Sequence, residues 1–267
     1  MRKLTGTIVA ALMTFAGVGA VASTPAQAAT GVEYVALGDS YASGVGAAPY
    51  DSSSGDCLRS PNNYPHLWAA THSAYTLTDA TCSGATIADV ENGQLSALSS
   101  STGLVSVTVG GNDAQFATVL EACLSQSDSY CETATSWMSY YATHEMVTDL
   151  TGLYNDIHTR APKALVLDFG YPELLSMTGT CNVIDLDSAK RTAMNGLADA
   201  LAEGTLAAST AAGVYYIDMR SQFSGHGACG SDPWINGVDL SETTASFHPN
   251  ATGYEQGYAA KFSATWS

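Results

Sequence analysis

Tyr34-Val35-Ala36-Leu37-Gly38-Asp39-Ser40-Tyr41 is an apolar run that stops abruptly at Gly-Asp-Ser. A stretch rich in Tyr, Val, Ala and Leu that ends in Gly reads as a strand, and it delivers the next side chains to the carboxyl edge of a parallel sheet. Open α/β folds place their ligands at that edge. Ser40 therefore stands where a nucleophile would stand. The rest of the chain must supply a base and donors for a developing oxyanion.

Working outward, short β-like runs alternate with helix-like stretches, the pattern of an α/β domain with a mainly parallel sheet. The strands are expected at Glu33–Leu37, Tyr75–Asp79, Leu104–Val109, Ala164–Phe169 and Val214–Asp218, five that fit one sheet. Helices are expected near Asn63–His72, Ala114–Leu124, Thr133–Arg160, Ser188–Ala212 and Thr252–Phe262. In the long candidate, Trp137, Tyr140, Tyr141, Met146, Leu150, Leu153, Tyr154 and Ile157 recur at close to helical spacing and read as one core-facing stripe. Right-handed connections would put helices on both faces of the sheet.

Residues 1–28 read as a secretory signal. Arg2 and Lys3 form the charged start, Thr7 to Ala22 the apolar middle, and Ala26-Gln27-Ala28 the small-residue cleavage pattern. The apolar middle is followed by a cleavage site rather than a charged stop-transfer flank, so stable membrane anchoring is not expected. Residues 29–267 then form a single secreted, extracellular domain of 239 residues, read as a monomer. Removal of Arg2 and Lys3 takes the basic count from 9 to 7 against 25 acids, a formal charge of −18. Such a surface disfavours nucleic acid and anionic membranes while leaving neutral or zwitterionic esters accessible.

All 6 cysteines follow the signal, and an even count in a secreted chain points to disulfides. Sequence alone leaves the pairing open. The sequential set Cys57–Cys82, Cys123–Cys131 and Cys181–Cys229 is favoured, because each pair closes a loop between neighbouring elements. The chain has no Cys-x-x-Cys and no close His pair, so neither a metal site nor a cofactor is expected.

Four short segments fall at strand ends or helix starts: Gly38-Asp39-Ser40, Cys82-Ser83-Gly84-Ala85-Thr86, Gly110-Gly111-Asn112-Asp113 and Ser246-Phe247-His248-Pro249. Ser40 offers a hydroxyl, with Gly38 and Asp39 shaping the turn. Pro249 pushes His248 out of the helical region and onto a loop. Gly110 and Gly111 let backbone approach a ligand, Asn112 offers an amide donor, and Gly84 can turn its N–H into the same space. Taken singly, Gly-Asp-Ser, Ser-Gly and Gly-Gly-Asn-Asp are also ordinary turn and cap sequences. His226, in Ser224-Gly225-His226-Gly227, competes for the base but lacks a following proline.

In this order the four segments resemble the GDSL lipases and esterases, also called SGNH hydrolases, and most closely their secreted bacterial branch with three disulfides. The resemblance spans Tyr34 to Tyr254. It implies a flavodoxin-like three-layer α/β/α fold, Ser40 as nucleophile, His248 as base, and Ser40, Gly84 and Asn112 as the oxyanion hole. One position departs from the family, which usually carries Asp three residues before the histidine; here that residue is Ala245. A Ser40–His248 dyad is expected instead, its imidazole oriented by the Ser246 carbonyl. The substrate implied is a fatty acyl ester, with phospholipid or acetylated carbohydrate as alternatives. Loss of the aspartate also admits a non-catalytic binding protein on the same scaffold. Trp234 and Phe247 are candidates for an acyl pocket and equally for core positions.

Overall fold

A computed structural model of the chain describes residues 31–181 and 186–266. The signal read at residues 1–28 lies outside them. Five strands, β1 Val32–Gly38, β2 Tyr75–Asp79, β3 Thr102–Thr108, β4 Leu165–Phe169 and β5 Tyr215–Ile217, form one sheet in the order β2-β1-β3-β4-β5. Every pairing is parallel, as the alternation of strand and helix along the chain requires. Gly38 pairs with Thr108, so β1 and β3 end together and release Asp39 and Val109 at one edge.

Helices cover both faces. On one, Tyr34 of β1 meets Trp68 of α2 (Tyr64–Thr71) edge-on, and Trp68 stacks on Phe262 of α8 (Ala260–Thr265) with ring centroids 4.3 Å apart. A π-helical turn, Gly253–Ala259, leads into α8 and adds the buried Tyr254 and Tyr258. On the other face, α3 (Ile87–Asn92) packs against β1 and α7 (Ser188–Ala212) against β5, with α6 (Glu145–Arg160) between the two helices. A hydroxyl–carboxyl cluster ties these last layers together, with Tyr154 of α6 and Ser209 of α7 both donating to the buried Asp168 of β4. Helix α7 begins at an Asp187 cap and ends at Gly213, whose φ of 74° is the left-handed conformation that stops a helix.

The long candidate Thr133–Arg160 is two helices, α5 (Asp128–Thr143) and α6, broken at His144. The break changes the stripe. Met146, Leu150, Leu153, Tyr154 and Ile157 are fully buried on α6, whereas Trp137 and Tyr140 on α5 are 66% and 55% exposed. Each helix aligns only its own apolar positions, and α5 lies outside α7 rather than on the sheet. Its approach is close: a Cβ added at Gly204 of α7 would sit 1.9 Å from the Ala142 carbonyl oxygen.

The sequential disulfides form. Cys57–Cys82 joins the loop before α2 to the residues after β2, Cys123–Cys131 joins α4 (Phe116–Ser125) to α5, and Cys181–Cys229 joins the loops after β4 and β5. The first lies two residues from Gly84. It ties that glycine's loop to the segment before α2, while the Cys82 N–H donates to the Gly38 carbonyl at the end of β1 at 3.0 Å.

Candidate active site

Glycine is forced at the end of β1. Gly38 has φ +127°, and a Cβ there would lie 2.2 Å from the Thr108 carbonyl oxygen of the neighbouring strand. The chain then turns into the short helix α1 (Ser40–Ser43), capped by the Asp39 carboxylate, which accepts the Tyr41 N–H at 2.9 Å. Ser40 is the first residue of that helix, so its N–H has no intrahelical acceptor. Gln94 secures the turn from below by bonding both the N–H and the carbonyl of Gly38, at 2.7 and 2.9 Å.

His248 reaches this point from a loop 208 positions away. Phe247, held at φ +60°, points its carbonyl at the Tyr41 hydroxyl, which donates to it at 2.6 Å. The loop also pairs with the segment around Asn236, whose N–H donates to the His248 carbonyl at 2.9 Å and whose side-chain amide donates to the Gly46 carbonyl at 3.0 Å. Consequently the residues just after Ser40 and those around His248 are stitched directly to one another.

Ser40 Oγ lies 2.7 Å from His248 Nε2, and His248 Nδ1 lies 3.1 Å from the Ser246 carbonyl oxygen. A carbonyl can only accept, so Nδ1 carries the ring proton and the Nε2 lone pair faces the serine hydroxyl. Although the ring reaches the crevice, the protein crowded around it pushes its pKa down from 6.5 to about 4. The base candidate is therefore neutral from mild acid upward.

Ala245 is buried, and neither nearby carboxylate takes the place of the missing aspartate. Asp239 accepts from the N–H and Oγ of Ser241, and Glu242 accepts from the Tyr50 hydroxyl at 2.8 Å. His226 stacks on Trp234 with centroids 3.7 Å apart and bonds the Asp232 carbonyl, so it belongs to a different loop cluster. Phe247 is buried and Trp234 is packed between His226 and Phe223, which makes both of them packing residues.

Asn112 and Gly84 occupy adjoining loops. One amide N–H of Asn112 donates to the Ala85 carbonyl at 2.9 Å, which leaves the second for another acceptor. Gly84 has φ +79°, and a Cβ there would meet nothing within 4 Å, so its surroundings are open. The Asp113 carboxylate caps α3 through the Ile87 N–H. Two aromatic residues escaped the sequence reading. Tyr41 joins the two arms of the site, and Tyr171, at the end of β4, donates to Asp39 and accepts from the Gly111 N–H at 3.0 Å. The one signal for Tyr171 was Gly170-Tyr171-Pro172 at a strand's carboxyl end, a fifth such segment beside the four singled out.

A hydroxyl lined up with a neutral imidazole, beside two loops rich in glycine and amide donors, has the chemistry of acyl transfer. Residues 36–256 match the family of GDSL-like lipases and acylhydrolases. The chain belongs to this family. It is 44% identical over 240 residues to Lipase 1 of Streptomyces coelicolor, covering 90% of this chain and 89% of that protein. Two solved structures are close in fold. The extracellular lipase of Streptomyces rimosus matches with TM-score 0.83 and 40% identity, covering 87% of this chain and 99% of that one. Phospholipase A1 of Streptomyces albidoflavus matches with TM-score 0.84 and 41% identity, covering 88% and 99%. This GDSL-family chain is thus an ester hydrolase on the three-layer SGNH fold, and the non-catalytic alternative is set aside.

Proposed function

We infer that the chain is a secreted, single-domain enzyme that cleaves fatty acyl esters through an acyl-enzyme on Ser40. Residues 1–28 are removed on export, and residues 29–267 carry the activity. His248 Nε2 takes the Ser40 proton as Oγ attacks the ester carbonyl. The resulting oxyanion is met by the N–H groups of Ser40 and Gly84 and by the free amide N–H of Asn112. As the carbon–oxygen bond breaks, the alcohol leaves with the proton from His248. Water then repeats the sequence on the acyl-enzyme and releases the acid and the free serine. The Ser246 carbonyl holds the imidazole in the tautomer this needs.

The alignment of Ser40 Oγ, His248 Nε2, His248 Nδ1 and the Ser246 carbonyl, at 2.7 and 3.1 Å, carries the reading. A fluorophosphonate probe tests it, because labelling needs nucleophile, base and oxyanion donors together. Stoichiometric labelling of the native enzyme, on a peptide containing Ser40, is expected, with none in Ser40→Ala. Labelling elsewhere, or full activity of Ser40→Ala, refutes the mechanism.

Similarity to a phospholipase A1 at 41% identity favours a second reading, in which the ester is the acyl ester of a phospholipid. A series of p-nitrophenyl esters of rising chain length, followed by triacylglycerol and phosphatidylcholine, separates the two. The formal charge of −18 after signal removal is compatible with both, since neither a neutral ester nor a zwitterionic headgroup repels it.

A further inference from the structure

We propose that Tyr171 is a positioning residue for hydrolysis, its hydroxyl fixing the Gly111 N–H, and hence the Asn112 donor, against the Asp39 carboxyl beside Ser40. The inference rests on the reading of Asn112 as an oxyanion donor and extends it to what holds that donor in place.

Three chain segments must keep register for the oxyanion hole to exist: the turn at Ser40, the loop at Gly84 and the loop at Asn112. Two are joined directly, since the Asn112 amide donates to the Ala85 carbonyl at 2.9 Å. The Ser40 turn meets the Gly84 loop where the Cys82 N–H donates to the Gly38 carbonyl at 3.0 Å, and it joins the Asn112 loop through Tyr171. Its hydroxyl donates to Asp39 Oδ2 while accepting the Gly111 N–H at 3.0 Å, and Asp39 Oδ1 accepts the Tyr41 N–H at 2.9 Å. A chain of bonds therefore runs from the α1 cap, through one phenol, to the residue before Asn112, and on to the residue after Gly84.

Only a group that donates and accepts at once can stand in the middle of this chain, and a phenol is such a group. Burial and the neighbouring Asp39 raise the Tyr171 pKa well above 10, so the hydroxyl keeps its proton at any pH of interest. The rigid sheet delivers it. Tyr171 follows β4, where the Gly170 N–H donates to the Ile217 carbonyl at 3.0 Å and the Gly170 carbonyl accepts from the Tyr258 hydroxyl at 2.9 Å. Contact with the loop is close, because a Cβ added at Gly111 would lie 3.2 Å from the Tyr171 hydroxyl oxygen. The Tyr171 ring also meets Tyr41 edge-on at 5.1 Å, and Tyr41 in turn lies 5.1 Å from the His248 ring. One side chain thus buttresses both the donor arm and, through Tyr41, the imidazole arm.

A double-mutant cycle on the full-length enzyme tests the role. Tyr171→Phe keeps the ring and removes the hydroxyl, leaving the Gly111 N–H unpaired and its loop free to shift. Misplacement of about 1 Å costs on the order of 10²-fold, so kcat is expected to fall about 10- to 100-fold with KM within about twofold. Affinity for an alkyl boronic acid, a mimic of the tetrahedral intermediate, should fall by the same factor as kcat/KM. Asn112→Ala is expected to lower kcat by about 10²–10³. In that background Tyr171→Phe should cost less than about threefold, because the donor it positions is gone. Equal losses in both backgrounds, or a lowered melting temperature with unchanged kcat and boronate affinity, would mark a merely structural tyrosine and overturn the inference. An unchanged kcat in Asn112→Ala would instead remove the underlying oxyanion assignment and the inference with it. Should Tyr171→Phe fail to fold, Asp39→Asn exchanges, at constant size, one of the two oxygens that accept from the Tyr41 N–H and the Tyr171 hydroxyl for an amide nitrogen that only donates, so the two bonds cannot both persist. It is expected to show the same non-additivity with Asn112→Ala, and additivity there overturns the proposal.

Discussion

The pH dependence of hydrolysis offers a direct test of a histidine base that lacks a carboxylate partner. In a serine–histidine–aspartate site the aspartate stabilises the imidazolium that forms during attack. Here Nδ1 faces the Ser246 carbonyl, a dipole rather than a charge, and burial drives the His248 pKa from 6.5 to about 4. A downward shift of that size corresponds to a penalty of about 3 kcal/mol on the protonated ring. With the neutral ring as the proposed base, kcat/KM is expected to stay flat from neutral pH to about 5 and to fall through about 4. Release of fatty acid, followed by chromatography so that no chromophore titrates, measures the profile. Return of acid-treated samples to pH 7 separates loss of base from unfolding. The same shift makes the unfolded chain bind the extra proton, so this residue's contribution to stability declines as pH falls from about 6.5 to about 4. Asp239→Asn and Glu242→Gln should each leave kcat/KM within about threefold and the acid limb unmoved, since their carboxylates bond Ser241 and Tyr50. Burial raises Asp39, beside Ser40, to about 7, so an acid limb between pH 6 and 7 that persists in Asp39→Asn, or a loss near the 10⁴-fold seen when a triad aspartate is neutralised, would refute the dyad.

Asp168 is pushed up from 3.8 to about 7 by burial, so the folded protein holds a proton that the unfolded chain loses, and stability is expected to decline between about pH 4 and 7. Asp168→Asn, which keeps acceptors for Tyr154 and Ser209, should raise the melting temperature at pH 8 relative to the native protein; an equal or lower value there argues against a raised pKa. Replacing Cys57 and Cys82 together by Ala is expected to cost about 2–4 kcal/mol in denaturant unfolding and to lower kcat more than the same change at Cys123 and Cys131, because only the first bridge adjoins Gly84. Gly204→Ala should destabilise strongly, as its Cβ would lie 1.9 Å from the Ala142 carbonyl; an unchanged melting temperature would mean that α5 and α7 separate freely.

Periodicity and punctuation made the scaffold legible. Each of the five strands was visible as a short β-like run, and Ser188–Ala212 as a helix ending at glycine, because residue type and local backbone preference agree at those positions. Gly-Asp-Ser and His-Pro were legible for a related reason, since glycine and proline restrict the backbone wherever they occur. The break at His144 was not. Both halves of 133–160 favour helix, and only packing against different layers separates α5 from α6.

By itself, then, the sequence determined a parallel α/β sheet, a serine at its carboxyl edge, a histidine on a late loop, and an even set of cysteines whose pairing it left open. Tertiary structure alone decided what those groups touch. That the His248 ring meets the Ser40 hydroxyl, that Tyr41 ties the histidine loop to the serine turn, and that Tyr171 spans Asp39 and Gly111 all follow from contacts between residues 60 to 208 positions apart. A side chain's own preferences carry no record of such partners. They arise when parallel strands bring their carboxyl ends to one edge, and the loops that leave that edge must satisfy one another's hydrogen bonds.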